Sequence, residues 1–239
     1  KRSFDVKIRL LAGAACAALL GLSVPVSAAT SPELPGVATQ VSPTAVQAVN
    51  AFYASRGGAP LWLRSGATSP AANELIGILD RAPLDGLNSG PALAVQAQDL
   101  IVQAQSGDRA ALMAADRLLS AAWVSYVETL QRPTSGMIYA DSWAAPRQDT
   151  PLQILQRAAN EPSLAAYVRS VSQVNPLYAQ LRDAAWAQMQ SNGGAIDPRV
   201  LTSLDRAREH PFQHKYVMVD AAAARLYMIE DGRIVDSMK

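Results

Sequence analysis

Apolar residues recur at three- and four-residue intervals through most of the chain, and only its last stretch changes period. From Ser42 onward the helical runs are introduced by a capping or acidic residue in front of proline: Ser42-Pro43, Ser69-Pro70, Thr150-Pro151, Glu161-Pro162, Asn175-Pro176 and Asp197-Pro198. Proline is harmless at the first helical position, where its missing N–H would have no intrahelical partner, and a capping side chain before it can accept from a free amide. Six helix starts are marked in this way. The first helix, over about 43–56, carries Val46, Val49, Ala51, Phe52 and Tyr53 and stops at Gly57-Gly58. A second, over about 70–81, presents Leu75, Ile78 and Leu79, and a third runs from Ala92 to Gln103 and closes at Gly107. The longest extends from Asp108 to Arg132, with Leu112, Ala115, Leu119, Ala122, Tyr126 and Leu130 along one stripe widened by Leu118, Trp123 and Val127. At about 1.5 Å per residue it can cross a whole small domain. Shorter helices are predicted over about 151–159, 162–172, 176–190 and Pro198–Glu209.

From Lys215 to Lys239 the period becomes that of a β-sheet. Tyr216–Asp220 and Arg225–Glu230 are rich in β-branched and aromatic residues, and Asp231-Gly232 is a two-residue hairpin signal. A type I′ turn there sets Glu230 opposite Arg233, an opposite-charge pair worth about 0.2–1 kcal/mol. A hairpin with one further strand is marginal in water, and the strand Arg233–Asp236 meets no partner or turn before Lys239. The chain is therefore expected to be cut, with a larger sheet continuing beyond it. The predicted class is mainly α, a multi-helix body followed by the beginning of a β-rich domain. Ser191-Asn192-Gly193-Gly194 is the expected boundary, which divides the chain into a helical body over 42–190, a linker and lead-in helix over 191–214, and strands over 215–239.

Composition adds a destination. Lys1, Arg2, Lys7 and Arg9 precede an apolar, Ala-rich run from Leu10 to Val26, which ends in Val26-Ser27-Ala28. This is the form of a signal peptide over 1–28 cleaved after Ala28, followed by a flexible leader over 29–41, and it implies export to the periplasm. A membrane tether follows only if residues 10–26 are retained. Cys16, the single cysteine, falls inside the signal and is poorly placed for lipidation, so the exported part carries no thiol. Of the 21 basic and 20 acidic residues, four and one lie within 1–28, so the remainder sits near neutral at −2. That is no footprint for nucleic acid.

Candidate chemistry is sparse. His210 and His214 stand four apart around Pro211-Phe212, without the carboxylates or cysteines that would complete a metal set, and read as linker surface. Tyr53, Trp62, Trp123, Tyr126, Trp143 and Trp186 could stack on glycan sugars, but core packing is the better reading for those on the apolar stripe; Trp62 and Trp143 lie off regular helices. Arg56 and Arg64 flank the Gly-Gly turn and could meet acidic peptides, though a solvated surface is their ordinary role. Asp116 and Glu128 share one helix at a separation too large for a carboxylate pair. No phosphate loop, no triad and no cofactor or metal site is expected, and substrate-binding residues are not identified.

Two stretches resemble one family. Phe52-Tyr53-Ala54-Ser55-Arg56-Gly57-Gly58-Ala59-Pro60-Leu61-Trp62, with the later Asp85-Gly86-Leu87, is similar to the N-terminal helical scaffold domain of the large periplasmic L,D-transpeptidases. Leu204–Arg208, Lys215–Asp220 and Arg225–Val235 look like the lead-in helix and first strands of that family's catalytic domain. The resemblance implies a parent enzyme that crosslinks peptidoglycan peptide stems through a cysteine acyl-enzyme. Its thiolate nucleophile, activating His and backbone oxyanion donors would be needed together. The family's His and Ser-x-Gly-Cys motif would follow Lys239; neither His210 nor His214 corresponds to that histidine, and this chain would supply the scaffold without catalytic residues. A peptidoglycan-binding module, often inserted in relatives, has no room between Ser191 and Arg208. The alternative is a non-catalytic periplasmic helical module that binds cell wall or a partner protein, and a degenerate homologue is a third option.

Overall fold

The computed structural model describes residues 41–139, 145–208, 215–231 and 233–239. The expected signal peptide with Cys16 and Ala28, the leader up to residue 40, Trp143, His210, His214 and the turn residue Gly232 lie outside the described residues. The fold is mainly helical: α1 (Pro43–Ser55), α2 (Pro70–Arg81), a short 3-10 turn (Ala82–Asp85), α3 (Gly90–Gln105), α4 (Arg109–Leu130), α5 (Pro151–Asn160), α6 (Leu164–Gln173), α7 (Pro176–Ser191) and α8 (Pro198–Arg208). The 3-10 turn, which the apolar period does not announce, ends on Gly86 at φ 95°, a conformation that favours glycine.

Five of the six proline starts hold. Ser42, Ser69, Thr150 and Asn175 each accept a main-chain N–H three residues on, and α8 begins at Pro198. Thr150 and Gln153 form a reciprocal capping box. The sixth start is displaced. Residue 161 is the extended C-cap of α5, and Ser163 rather than Glu161 caps α6, its hydroxyl accepting from Ala166 N–H at 3.3 Å. Pro162 thus stands outside the helix it was expected to open.

The longest helix is buried on more than one stripe. Leu118, Leu119, Ser120, Ala121, Ala122, Trp123, Val124 and Tyr126 of α4 are all fully buried, so this segment is enclosed rather than amphipathic. It packs against α1, α2, α3 and α5. Trp123 is its aromatic centre, with Trp62, Tyr126 and Tyr167 rings at 6.2, 6.0 and 6.0 Å. Gly90 allows α3 to begin against α2, because a Cβ there would lie 2.5 Å from the Leu79 carbonyl oxygen. A second, smaller cluster gathers Leu84, Tyr178, Ala185, Leu204 and Ala207, through which α7 and α8 pack on the 3-10 turn.

The C-terminal strands β1 (Lys215–Asp220), β2 (Arg225–Glu230) and β3 (Arg233–Met238) form an antiparallel sheet in that order. Glu230 pairs with Arg233 as the turn signal requires, and its carboxylate also lies 3.2 Å from Lys215. A bulge opposite Met228 and Ile229 leaves Val235 without a register partner. The register puts Val217, Val219, Leu226 and Met228 on one face, and Tyr216, Met218, Tyr227 and Ile229 on the other. Apolar residues on both faces suit a sheet covered from both sides.

Candidate functional site

Three polar constellations stand out against the helical core. The first is built on α4, where Asp116 and Ser120 stand one turn apart on the same face. Asp116 is fully buried, and its carboxylate accepts from the main-chain N–H of Leu61, Trp62 and Leu63 at 2.7, 2.8 and 2.7 Å and from the Tyr53 hydroxyl. Ser120 Oγ lies 2.8 Å from that hydroxyl and accepts from Trp62 Nε1 at 2.9 Å. The Tyr53 hydroxyl is pushed up by burial first and by the Asp116 charge second. One carboxylate therefore replaces the secondary structure that Leu61–Leu63 lack, satisfying their amides inside the core.

This arrangement decides the aromatic candidates. Tyr53, Trp62, Trp123 and Tyr126 are at most 2% exposed, so none offers a ring face to a sugar. Trp62, which lies off a helix, is held in by Asp116 and Ser120. Trp186 is half-buried against the second cluster. Arg56 lays its guanidinium 5.1 Å over the Phe52 ring and remains a surface side chain. Asp116 and Glu128 form no pair; burial raises the Glu128 carboxyl pKa, opposed by Arg132.

The second constellation centres on Asp85, which the sequence suggests only as half of a turn signal. Its buried carboxylate accepts from Tyr126 OH at 3.0 Å and Tyr178 OH at 2.5 Å, with Arg182 Nη1 3.7 Å away. Burial pushes its pKa above the usual carboxylate range, against the pull of Arg182, Tyr178, Tyr126 and Arg81. Burial and the Asp85 charge likewise raise both tyrosines. Arg182 is 2% exposed and donates to the Ser172 carbonyl at the end of α6. Arg208 caps α4 from outside, donating to the carbonyls of Thr129 and Arg132 at 3.3 Å each and pairing with Asp205. In return Thr134 Oγ1 and Asn175 Nδ2 donate to the Asp205 and Ala207 carbonyls of α8 at 3.1 and 2.8 Å. A cavity of about 290 Å³ lies alongside, lined by Asp85, Tyr178, Thr202, Asp205 and Arg208.

The third is a groove of about 380 Å³ between the Leu61–Ala71 segment and the start of α6, where Pro162, Ser163, Leu164 and Ala165 face Trp62, Arg64 and Thr68. Arg64, singled out in the sequence, is its one cation. No group of His, Cys, Asp and Glu that could hold a metal occurs among the described residues, and no helix among them is long and apolar enough to cross a membrane. These three constellations hold backbone, join helices and shape a groove.

No curated protein and no solved structure matches the chain. A family model described as Scaffold domain matches residues 47–184. The matched span runs from α1 into α7 and takes in Tyr53, Asp116, Asp85, Tyr178 and Arg182. It covers more than half of the sequence, and the chain belongs to the scaffold-domain family.

Proposed function

We infer that this chain is the N-terminal part of an exported peptidoglycan L,D-transpeptidase and supplies that enzyme's helical scaffold. The observation that carries the reading is the scaffold-domain match over 47–184, which is consistent with the scaffold region of such enzymes. It coincides with the stretches from Phe52 to Trp62 and Asp85 to Leu87 that resemble the same family. The three-stranded sheet that follows, apolar on both faces, supports reading 215–239 as the opening of a catalytic domain.

In this reading the parent enzyme attacks the diaminopimelate amide carbonyl of a tetrapeptide stem with a cysteine thiolate and releases D-alanine. The side-chain amine of a second stem then takes the acyl group. The nucleophile and its activating His belong to residues beyond Lys239. The scaffold orients the catalytic domain and limits access to it, and the protein works in the periplasm after removal of residues 1–28. Sequencing the reading frame past Lys239 tests the assignment: a His followed by Ser-x-Gly-Cys is expected, and their absence overturns it. With the complete protein, deletion of 41–190 is expected to abolish the formation of crosslinked stems, measured by mass spectrometry. Undiminished crosslinking would remove the orienting role.

A further inference from the structure

We propose that the groove between the Leu61–Ala71 segment and the start of α6 is a peptide-binding site, which takes a short extended peptide by its free carboxylate at Arg64. The site stands apart from any transfer chemistry and does not depend on the transpeptidase reading.

One wall is set in advance. The amides of Leu61, Trp62 and Leu63 are all taken by Asp116, so the segment that carries Arg64 is fixed from inside the core. A ligand meeting such a wall loses little free energy to ordering it. Arg64 is anchored at its base, Nε donating to the Leu61 carbonyl at 3.1 Å, while its terminal nitrogens have no partner among the described residues. No carboxylate lines the groove. Glu74 of α2, the acid that bridges to α6, is engaged by Arg169 at 2.7 Å. The charge balance in the groove thus calls for an anion, and the planar guanidinium suits a carboxylate.

The remainder of the lining selects a peptide. The main-chain N–H groups of Thr68 and Ser69 and the hydroxyls of Ser65 and Thr68 have no hydrogen-bond partner among the described residues. Ser69 is extended, at φ −150° and ψ 127°, and successive N–H groups of extended chain point to opposite sides, so this rim offers one main-chain donor to a peptide carbonyl together with the two hydroxyls. Pro70, Leu164 and Ala165 give apolar surface for small side chains. A glycan fits less well, since Trp62 is only 2% exposed and presents no ring face. At about 380 Å³ the groove falls within the range of about 300–1,000 Å³ typical of small-ligand sites.

The test is an NMR titration of the purified protein with acetyl-Ala-Ala-Ala, its C-terminal amide, and acetate. Saturable shifts at residues 64–69 and 163–165 are expected with the acid peptide. Binding should weaken about fivefold for the amide, and equally for Arg64→Gln with the acid peptide, as befits a partly exposed ion pair. Ala165→Phe, which fills the groove, should abolish the shifts while the remaining spectrum stays folded. The proposal is overturned by no saturation up to about 10 mM, by equal affinity for acid and amide, by full affinity in Arg64→Gln or Ala165→Phe, or by acetate binding as tightly as the peptide. Binding and the reading-frame result are separate readouts, so either proposal can fail alone.

Discussion

Removing the Asp116 carboxylate would leave the amides of Leu61, Trp62 and Leu63 buried without acceptors. Each such orphan costs about 1–3 kcal/mol, so Asp116→Ala is expected to destabilise the protein by about 3–5 kcal/mol in urea unfolding, and Asp116→Asn, which keeps one oxygen, by less. A loss below about 1 kcal/mol would mean that the segment finds other partners. Asp85 responds to pH instead. Because burial raises its pKa, the folded protein holds this proton more firmly than the unfolded chain does. The resulting stability is present below the ordinary aspartate pKa of about 3.9 and fades as pH rises through the raised folded value. Asp85→Asn removes that contribution, so the wild type should gain on the variant as pH falls through this window. A pH-independent gap between their unfolding free energies would contradict the assignment. Neither role is legible locally: Asp116 reads as an acid beside an apolar stripe, and Asp85 as half of a turn.

At the scale of elements, most of the fold follows from caps and period. Proline with a capping residue marks five helix starts correctly, since the hydroxyl, carboxamide or carboxylate acts within three residues of its own position. The sixth marker misleads because Ser163, one residue beyond Pro162, offers the better acceptor for the Ala166 amide. Ser163→Ala is accordingly expected to lower stability by about 1 kcal/mol, whereas Pro162→Ala should change it by less than about 0.5 kcal/mol, measured by thermal unfolding. The reverse order would restore Pro162 as the start of α6. The stripe on α4 understates its burial for a related reason. Ser120, Ala121 and Ala122 are small enough to admit neighbouring helices on faces that apolar periodicity leaves unmarked.

Across the whole molecule, α8 is fastened at its end. Arg208 adds a donor to the Thr129 carbonyl in the last turn of α4 and to the Arg132 carbonyl just beyond it, while Thr134 and Asn175 donate to the last turn of α8, so the two helix C-termini are tied reciprocally. Arg208→Ala should loosen α8 by about 2 kcal/mol, seen as faster amide hydrogen exchange in residues 198–208 with α1–α3 unchanged. Unaltered exchange in α8 would show that the apolar cluster alone holds it. The same long-range ties explain what the family resemblance rests on. Tyr53, Leu61 and Trp62 of the first matching stretch meet at Asp116, and Asp85 of the second is the other hub. By itself the sequence determined the helical class, the positions of most caps and the β-meander with its Glu230–Arg233 pair. These depend on neighbours a few residues apart, and caps, turns and periodicities act over that range. Only the tertiary structure decided that Asp116 binds a segment more than fifty residues away, that Asp85 meets Tyr178 across 93 residues, and that Arg64 borders a groove. Such contacts exist only once the helices have packed, because burial is what turns a solvated carboxylate into an acceptor that the core cannot do without.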